Sequence, residues 1–569
     1  MASDLPGTRQ LFTLLAAGGE LTQLTDYAEP VEGFHLPDGR VLVEIDEAGN
    51  ERTQFHVLGP LPAEGGQEVP QGGGGFAAAA PSIRPLVSDP RFNHWTPHVS
   101  RDGRLLAYTT NRRNGRDFDV VVRELASGEE RVFELGGYVG VDSISPDGRW
   151  VIAGRGNERA GDSDLFLIDL EAGAVEHVTP HEDAAEYETT AWLADSSGFH
   201  AAMNEGRDTF AIAKYTLGGG WEVVRESRWD LRCYADDAGR RVLVVENADG
   251  YSRIEGLPLP GDGVAEHFVF SPDASRVAFG FSTTTEPSQV WVHDFASGES
   301  RKLTALGLVE GGVEPSLHRF ESFDGESIPV FLFVPDGKGP FPVVVTVHGG
   351  PESQWQPWYS SGFGALTQFL VSRGYAVAAP NVRGSTGYGK RFEHLDDVEK
   401  RLDSVADLAS LHGWLAARPE IDGSRAVVYG RSYGGYMVLA ALAFQPELWA
   451  AGIEFVGISN LRTFLENTSE YRRAVREREY GPLSDPELLE RLSPWSRLDA
   501  IRAPLFIEHG RNDPRVPVGE SEAIHRELVA RGIRCELVIY EDEGHMVEKL
   551  KNRIDVFERA VAFLDEVLS

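Results

Sequence analysis

A serine in the C-terminal half of the chain stands in a sequence that can turn its hydroxyl into a nucleophile. The segment Gly430-Arg431-Ser432-Tyr433-Gly434 follows the apolar run at 426–429 and precedes a helix-prone stretch at 437–444. The flanking glycines permit a tight strand-to-helix turn that raises the hydroxyl above the sheet, and the backbone N–H of Tyr433 then faces a developing oxyanion. Because this five-residue pattern is common by chance, it predicts chemistry only together with partner residues.

A carboxylate and a histidine follow Ser432 in the order that this chemistry needs. A serine hydroxyl requires a base to remove its proton and a carboxylate to orient that base. Asp513 and His545 each come directly after a predicted buried strand, so both leave the carboxyl edge of a sheet, where side chains converge. The sequence therefore predicts Ser432, Asp513 and His545 as a catalytic triad. His509 precedes Asp513 at a strand end and is interpreted as structural.

A glycine turn supplies the fourth element of the predicted site. His348-Gly349-Gly350-Pro351 follows the strand predicted at 343–347. Its small residues let backbone N–H groups approach a substrate oxygen, so Gly350 and Tyr433 are predicted to form an oxyanion hole, where one donor lowers the barrier by about 3 kcal/mol. A plain glycine turn is the alternative. The sequence has no H-E-x-x-H motif, cysteine cluster or phosphate-binding loop, so no metal or cofactor is expected.

Three acidic residues come directly before the predicted base. Glu541, Asp542 and Glu543 lie within four positions of His545. Because negative charges favour the protonated imidazolium, we expect them to raise the pKa of His545. The acid limb of the rate profile would then move to higher pH.

The elements that must position these residues alternate between strands and helices from about residue 310 onward. Apolar strands are predicted at 343–347, 375–379, 426–429, 452–456, 505–508 and 536–540. Two of the intervening helices have core-facing stripes at helical spacing, which are Leu402, Val405, Leu408, Leu411 and Leu415, and Ile554, Phe557, Val561, Leu564 and Leu568. Such a pattern predicts a mostly parallel, doubly wound sheet of the α/β-hydrolase type over residues 310–569.

The first 309 residues repeat short strands introduced by acidic turns. The aspartates of these turns are Asp38, Asp102, Asp147, Asp195, Asp236 and Asp273, spaced by 64, 45, 48, 41 and 37 residues. A period near 40–50 residues with several strands per unit predicts a β-propeller. Residues 9–24 look like the closing strands of one more unit, so six or seven blades are expected. The glycine- and alanine-rich stretch at 72–80 is predicted to be an irregular loop.

Composition excludes several classes of partner. The net charge of -34 would repel nucleic acid. No apolar run approaches 18 residues, so no membrane span is expected. The N-terminus lacks the basic start of a secretory signal and only two cysteines occur, which favours a cytoplasmic location. Oligomeric state is not readable from the sequence, and a homo-oligomer stays open.

Taken together, the motifs resemble those of the prolyl oligopeptidase family of serine peptidases. The resemblance rests on the segments HGGP at 348–351, NVRGSTGYG at 381–389 and GRSYGGYM at 430–437, and on the loops of Asp513 and His545. The resemblance looks closest to the acylaminoacyl-peptidase branch. It implies a propeller that admits short peptides and excludes folded proteins, and release of N-acylated amino acids through an acyl-enzyme.

The resemblance also implies residues that bind substrate. Relatives often hold a substrate carbonyl with an arginine, for which Arg472 is the match and Arg473 the alternative. Trp355 and Trp358 follow the glycine turn and are expected either to line the cleft or to pack in the core. The segment 397–403 lacks the glycines that the family pattern leads us to expect there. An Asp-Trp…Tyr-Glu-Glu motif of dipeptidyl peptidases is not found, which counts against that activity.

Other functions use the same features. A carboxypeptidase or an esterase would share the triad and differ in the pocket. From a different class, the propeller could make the chain an interaction scaffold with a vestigial hydrolase. Labelling by a serine-reactive fluorophosphonate would distinguish an enzyme from such a scaffold.

Overall fold

The computed structural model describes residues 1–59, 83–360 and 363–568. It contains a ring of small antiparallel sheets followed by one large sheet with helices on both faces. The glycine- and alanine-rich stretch at 72–80, predicted to be a loop, lies outside the described residues. Within the described ranges, no helix combines the length and apolar character that crossing a membrane requires.

Seven small sheets, counted over the described residues, form the propeller, one more than the number of acidic turns. The first sheet has three strands, β1 (Ala2–Ser3), β2 (Gln10–Thr13) and β3 (Thr22–Gln23). The next three have four each, which are β4 (Val31–His35), β5 (Val41–Ile45), β6 (Gln54–Leu58), β7 (Ile83–Val87), β8 (His94–Val99), β9 (Leu105–Thr110), β10 (Asp119–Glu124), β11 (Glu130–Phe133), β12 (Tyr138–Ile144), β13 (Trp150–Gly156), β14 (Ser163–Asp169) and β15 (Ala174–His177). The last three sheets comprise β16 (Tyr187–Trp192), β17 (Gly198–Met203), β18 (Ala211–Thr216), β19 (Gly220–Arg225), β20 (Asp230–Ala235), β21 (Val242–Ala248), β22 (Tyr251–Ile254), β23 (Val264–Phe270), β24 (Arg276–Ser282), β25 (Gln289–Asp294) and β26 (Glu299–Lys302).

The acidic turns join the first and second strands of six sheets. In the turn between β12 and β13, the Ser145 hydroxyl donates to Asp147 Oδ1 at 2.6 Å and the N–H of Trp150 donates to Ser145 Oγ at 2.9 Å. Gly148 has a φ of 71°, which glycine adopts without strain. The serine, aspartate and glycine therefore close this hairpin, and an aspartate occupies the corresponding turn of the other five sheets.

The ring closes between its last sheet and the N-terminal one. Arg301 on β26 donates to the carbonyl oxygens of Ala16 and Ala17 at 2.6 Å each, in the turn between β2 and β3. The half-unit predicted at residues 9–24 thus supplies strands of the seventh blade. The segment that connects the propeller to the large sheet runs from Lys302 to Ser316, and the predicted domain boundary at 309/310 lies within it.

The C-terminal half is an eight-stranded, mostly parallel α/β sheet. Its strands in spatial order are β27 (Ser316–Glu321), β28 (Ser327–Phe333), β30 (Ala376–Pro380), β29 (Phe341–Val347), β31 (Ile421–Arg431), β32 (Ala451–Phe455), β33 (Leu505–Gly510) and β34 (Cys535–Tyr540). The strands from β30 to β34 pair in parallel, whereas β27 and β28 pair antiparallel at one edge. All triad candidates therefore lie at one edge of the sheet, where the parallel strands end.

Helices cover both faces of this sheet. The α-helices of the described residues are α1 (Phe363–Ser372), α2 (Lys390–Glu393), α3 (Arg401–Ala416), α4 (Tyr433–Phe444), α5 (Leu461–Asn467), α6 (Glu470–Tyr480), α7 (Pro486–Leu492), α8 (Gly519–Ala530) and α9 (Leu550–Val567). Three 3₁₀ turns occur at His394–Asp396, Val398–Lys400 and Pro494–Ala500. Along β29, Val343 and Val345 join one core while Val344 joins the core on the opposite face. Burial on both faces explains why these strands read as continuous apolar runs.

Candidate active site

Ser432 sits in a sharp turn between β31 and α4, with φ 60° and ψ -119°. A non-glycine residue in such a conformation costs about 1–3 kcal/mol, which the surrounding packing must supply. That packing needs the glycines of the motif. A Cβ on Gly430 would lie 2.3 Å from the Gly434 carbonyl oxygen, and a Cβ on Gly434 would lie 2.2 Å from the Val347 oxygen. The turn is therefore held by close backbone contacts that admit no side chain.

The structure joins two of the three predicted triad residues by a hydrogen bond. His545 Nδ1 lies 2.7 Å from Asp513 Oδ2, and both side chains are almost completely buried. Burial alone would raise the pKa of Asp513, but the neighbouring His545 and His509 hold it well below its usual value. Asp513 is thus an ionised acceptor that fixes the tautomer with the proton on Nδ1, leaving Nε2 of His545 free to act as a base.

The expected effect of the acidic residues before His545 is wrong. Burial lowers the pKa of His545, and Asp513, with Glu51 of the propeller, opposes this shift. The three acidic residues are engaged elsewhere, since Glu541 pairs with Arg511, Asp542 with Lys549, and Glu543 accepts from Asn552. Proximity in sequence did not predict which charges face the imidazole.

A buried arginine ties the serine turn to the histidine loop. Arg431 Nη1 donates to the carbonyl oxygen of His545 at 2.8 Å, and its Nη2 lies 3.3 Å from Glu508. Burial raises the pKa of Glu508, which Arg431 partly offsets. Sequence reasoning missed Arg431 because it occupies the variable position of the G-x-S-x-G motif, and an arginine there carries no signal of its own.

The predicted oxyanion turn packs directly on the serine. A Cβ on Gly349 would lie 3.5 Å from the Ser432 Cβ, and Gly350 is the next residue in the chain. The carbonyl oxygen of Gly350 accepts from Arg476 at 3.1 Å. Tyr433 is the first residue of α4, and the first N–H groups of a helix have no intrahelical acceptor. Tyr433 thus follows Ser432 directly in the chain, and Gly350 follows the residue that packs on Ser432.

The side chain of Tyr433 enters a buried polar network under the site. Its hydroxyl donates to Asp396 Oδ2 at 2.9 Å, and Asp396 also pairs with Arg401. Arg401 contacts Glu479 at 3.3 Å from the other side. Arg401 of this network lies in the region at 397–403 where glycines were expected. Val398 in the same region adopts a φ of 49°. Charged residues in an otherwise apolar layer were the signal that could have revealed it.

The three residues predicted to bind substrate lie in different surroundings. Arg472 on α6 faces a cavity of about 240 Å³ between the domains, whereas Arg473 bonds the carbonyl oxygen of Leu465. Trp355 packs on Phe331 in the sheet core, so the packing interpretation describes it and the cleft interpretation is wrong. Trp358 is half-buried, and its neighbours Gln356 and Tyr359 hydrogen-bond to the propeller.

A wall of carboxylates borders the glycine turn. Glu352 comes two residues after Gly350, and burial, followed by the charge of Glu352, raises the pKa of Glu479. Burial raises the pKa of Glu186 to about 7, with smaller contributions from the negative charges of Glu188 and Glu352. Burial also raises the pKa of Glu393 well above its usual value, and the negative charge of Glu186 adds to this shift. In the described parts of the chain, no group of histidine, cysteine or acidic side chains is arranged to hold a metal ion.

Comparison with known families and structures agrees with this geometry. A sequence profile of the prolyl oligopeptidase family matches residues 361–569. The C-terminal domain belongs to the prolyl oligopeptidase family. The match covers the α/β-hydrolase domain that carries Ser432, Asp513 and His545, and the seven-bladed propeller precedes it.

Individual relatives differ in how much of the chain they share. A dipeptidyl aminopeptidase BIII of Pseudoxanthomonas mexicana is 29% identical over 490 residues, covering 78% of this chain and 68% of the relative. A dipeptidyl peptidase family member 6 of Caenorhabditis elegans is 32% identical over 253 residues, 41% of this chain and 34% of its own length. The solved puromycin-hydrolyzing peptidase of Mycobacterium tuberculosis superposes with a TM-score of 0.82 over 99% of this chain and 91% of its own, at 19% identity. At 19% identity, this similarity shows only that the two chains share a fold.

Proposed function

We propose that the protein cleaves short peptides close to a free amino terminus, using Ser432, Asp513 and His545. Nε2 of His545 accepts the Ser432 proton as the hydroxyl oxygen attacks the carbonyl carbon. The backbone N–H groups of Gly350 and Tyr433 stabilise the resulting oxyanion. His545 then donates its proton to the leaving amine, and water releases the acyl group by the same steps in reverse roles. The hydrogen bond between His545 and Asp513, beside the strained Ser432, carries this proposal.

The carboxylate wall supports a free amino terminus as the group that is recognised. Among the described residues, neither Glu186 nor Glu393 makes an ion pair, although both are substantially buried. A substrate ammonium would supply the missing cation and stabilise their ionised forms. Glu352 is two residues from Gly350, so its Cα is within about 7.6 Å of the Gly350 Cα. An amino terminus held at this wall lies within one or two residues of a scissile carbonyl at the oxyanion hole.

Release of N-acylated amino acids, the specificity predicted from the family resemblance, is the second candidate. An N-acyl group carries a carbonyl oxygen and no charge, so it gains nothing from the carboxylate wall. The cavity at Arg472 favours this candidate, since Arg472 lines it together with Trp95 and Tyr138. A guanidinium can donate hydrogen bonds to an acyl carbonyl oxygen. The name of one relative, a dipeptidyl aminopeptidase 29% identical to this chain, supports the free-amine candidate instead.

A matched substrate panel tests the proposal. Alanyl-alanine p-nitroanilide and its N-acetyl form differ only in the acetyl group, which removes the charge at the amino end, and a free-carboxyl peptide and a simple ester extend the set. We expect the free-amine substrate to have the highest kcat/KM, and the Ser432→Ala variant to have no turnover and no fluorophosphonate labelling. A higher kcat/KM for the N-acetyl substrate would favour the second candidate. A wild-type protein that hydrolyses nothing and takes no label would contradict both candidates.

Location and assembly stay predictions. A cytoplasmic protein acting on short peptides agrees with the composition, and a homo-oligomer stays open. Size-exclusion chromatography with light scattering decides the oligomeric state.

A further inference from the structure

A hairpin loop of the propeller reaches the catalytic histidine. This loop, residues 46–53, joins β5 to β6, and we refer to it as the 46–53 loop. A Cβ on Gly49 would lie 2.5 Å from the Gly544 nitrogen, and a Cβ on Gly544 would lie 2.0 Å from the Gly49 carbonyl oxygen. The two backbones are therefore in direct contact, and Gly544 immediately precedes His545. On its other side, Gly544 touches Gly510, the last residue of β33.

The same loop also reaches the triad aspartate through one arginine. The Glu51 carboxylate bonds the Arg515 Nε and lies 3.8 Å from Arg472 Nη1. The backbone N–H of Arg515 donates to Asp513 Oδ1 at 2.8 Å. Glu51 is largely buried, with 19% of its side chain exposed, so solvent screens this pairing less than it screens a surface ion pair. A propeller carboxylate thus holds the loop that carries Asp513.

The 46–53 loop is itself held firmly by the propeller. Asp46 Oδ2 accepts the N–H of Glu51 at 2.9 Å, and Glu51 has a φ of 57°. The Glu51 carbonyl oxygen accepts from Asn93 Nδ2 at 2.9 Å and from Trp95 Nε1 at 3.4 Å. These bonds anchor the loop to β8 and to the connection before it. The contacts with Gly544 and Arg515 therefore transmit the position of the propeller to the catalytic loops.

We propose that the 46–53 loop is a positioning element of the active site, in which Gly49 supports the His545 loop and Glu51 supports the Asp513 loop through Arg515. The inference rests on the proposed triad. Displacement of a catalytic group by about 1 Å can cost about 10²-fold in rate. Catalysis by the hydrolase domain thus depends on residues that its own sequence does not contain.

Two glycine variants test the backbone contact. Gly49 and Gly39 both have positive φ, at 76° and 83°, so alanine strains both backbones alike. Only Gly49 meets a neighbour, because a Cβ on Gly39 has nothing within 4 Å. For Gly49→Ala we expect kcat to fall about 10- to 100-fold with KM within about threefold. For Gly39→Ala we expect both constants within about twofold of wild type. Equal effects of the two variants would overturn the role of Gly49.

Charge variants of Glu51 are tested by the pH dependence of kcat/KM, which a purely structural role would not change. The charged groups facing His545 are Asp513 and Arg515 on the loop after β33 and Glu51 on the propeller, while Arg431 bonds its carbonyl oxygen. Removing the negative charge in Glu51→Gln leaves Arg515 uncompensated, so the acid limb of kcat/KM should move to lower pH as kcat falls. Glu51→Asp should restore part of both. Glu47→Gln, on the exposed part of the same loop, should change neither.

The outcomes separate this inference from the proposed function. Wild-type protein without turnover or fluorophosphonate labelling contradicts the proposed function. An active wild type, with Glu51→Gln unchanged in kcat and in its acid limb, contradicts the positioning role while the triad stands. Circular dichroism and thermal unfolding confirm that each variant folds. If Gly49→Ala does not fold, the Glu51 series decides the question alone.

Discussion

The two surfaces that meet at the active site are built differently. The hydrolase surface consists of strand ends whose geometry depends on glycine backbones in contact, such as Gly430 with Gly434 and Gly510 with Gly544. The propeller surface presents carboxylates from its loops, with Glu51 between β5 and β6 and Glu186 directly before β16. The first supplies the groups that react, while the second supplies charge and position. Variants of the groups that react should therefore change kcat, and a variant of Glu186, the propeller residue of the carboxylate wall, should change KM.

The largest expected effect concerns the triad carboxylate on the hydrolase surface. In Asp513→Asn, an amide N–H can donate to His545 Nδ1 and stabilise the tautomer that carries its proton on Nε2. Nε2 then cannot accept the Ser432 proton, and we expect kcat to fall about 10⁴-fold. Steady-state kinetics with the preferred anilide measures this, and KM should stay within a few-fold of wild type. A loss of less than about tenfold would show that Asp513 does not orient the base.

The second-largest expected effect concerns the free energy of unfolding that the buried network under the hydrolase surface contributes. Arg401 is fully buried between Asp396 and Glu479, so Arg401→Met leaves buried carboxylates unpaired and should lower the free energy of unfolding by about 3–5 kcal/mol. Urea unfolding measures the change. The control Arg462→Met removes an exposed pair with Glu466 and should cost less than about 1 kcal/mol. Similar losses in the two variants would mean that the network contributes no special stability.

The propeller side of the comparison predicts a change in selectivity. Glu186→Gln removes a charge from the carboxylate wall, so KM for the free-amine anilide should rise about tenfold or more, with KM for its N-acetyl form unchanged. Glu182→Gln, an exposed neighbour in sequence, serves as the control. Equal rises for both substrates would indicate that the wall does not recognise the ammonium.

The smallest expected effect is a displacement of the pH profile. The reaction needs neutral His545, so kcat/KM rises with pH as the imidazole loses its proton. Burial lowers the pKa of His545 below its ordinary value of 6.5, and the midpoint of the acid limb should therefore lie below pH 6.5. A profile of kcat/KM over pH 4–9 on the free enzyme locates it. A midpoint above pH 6.5 would restore the effect first expected from Glu541, Asp542 and Glu543.

What the sequence predicted well lies at strand ends. The buried strands at 343–347 and 505–508 coincide with β29 and β33 nearly residue for residue, because continuous apolar runs are distinctive. Asp513 and His545 were found because each follows such a strand. Helix faces were less certain, since Ile554 of the predicted stripe on α9 is 49% exposed while Phe563 is buried. Neighbouring apolar positions allow two overlapping stripes, and only packing against the sheet selects between them.

What the sequence left unpredicted depends on contacts between distant segments. Glu51 and Arg515 are 464 positions apart, and neither belongs to a motif. Trp355 was placed by its distance from the glycine turn, but the apolar layer formed by Phe331 determines where its ring packs. A charge or a ring is recognised as functional only when its neighbour in space is known.

The backbone of Ser432 also makes the nucleophile a reporter of assembly. Its φ of 60° is held by Gly430, Gly434 and the carbonyl oxygen of Val347, which come together only when β29, β31 and α4 have packed. A chain that has formed its strands and helices without this packing has no reason to keep the turn. Fluorophosphonate labelling during refolding would therefore follow completion of the hydrolase core, and each labelled molecule would mark a chain that has reached its final tertiary structure.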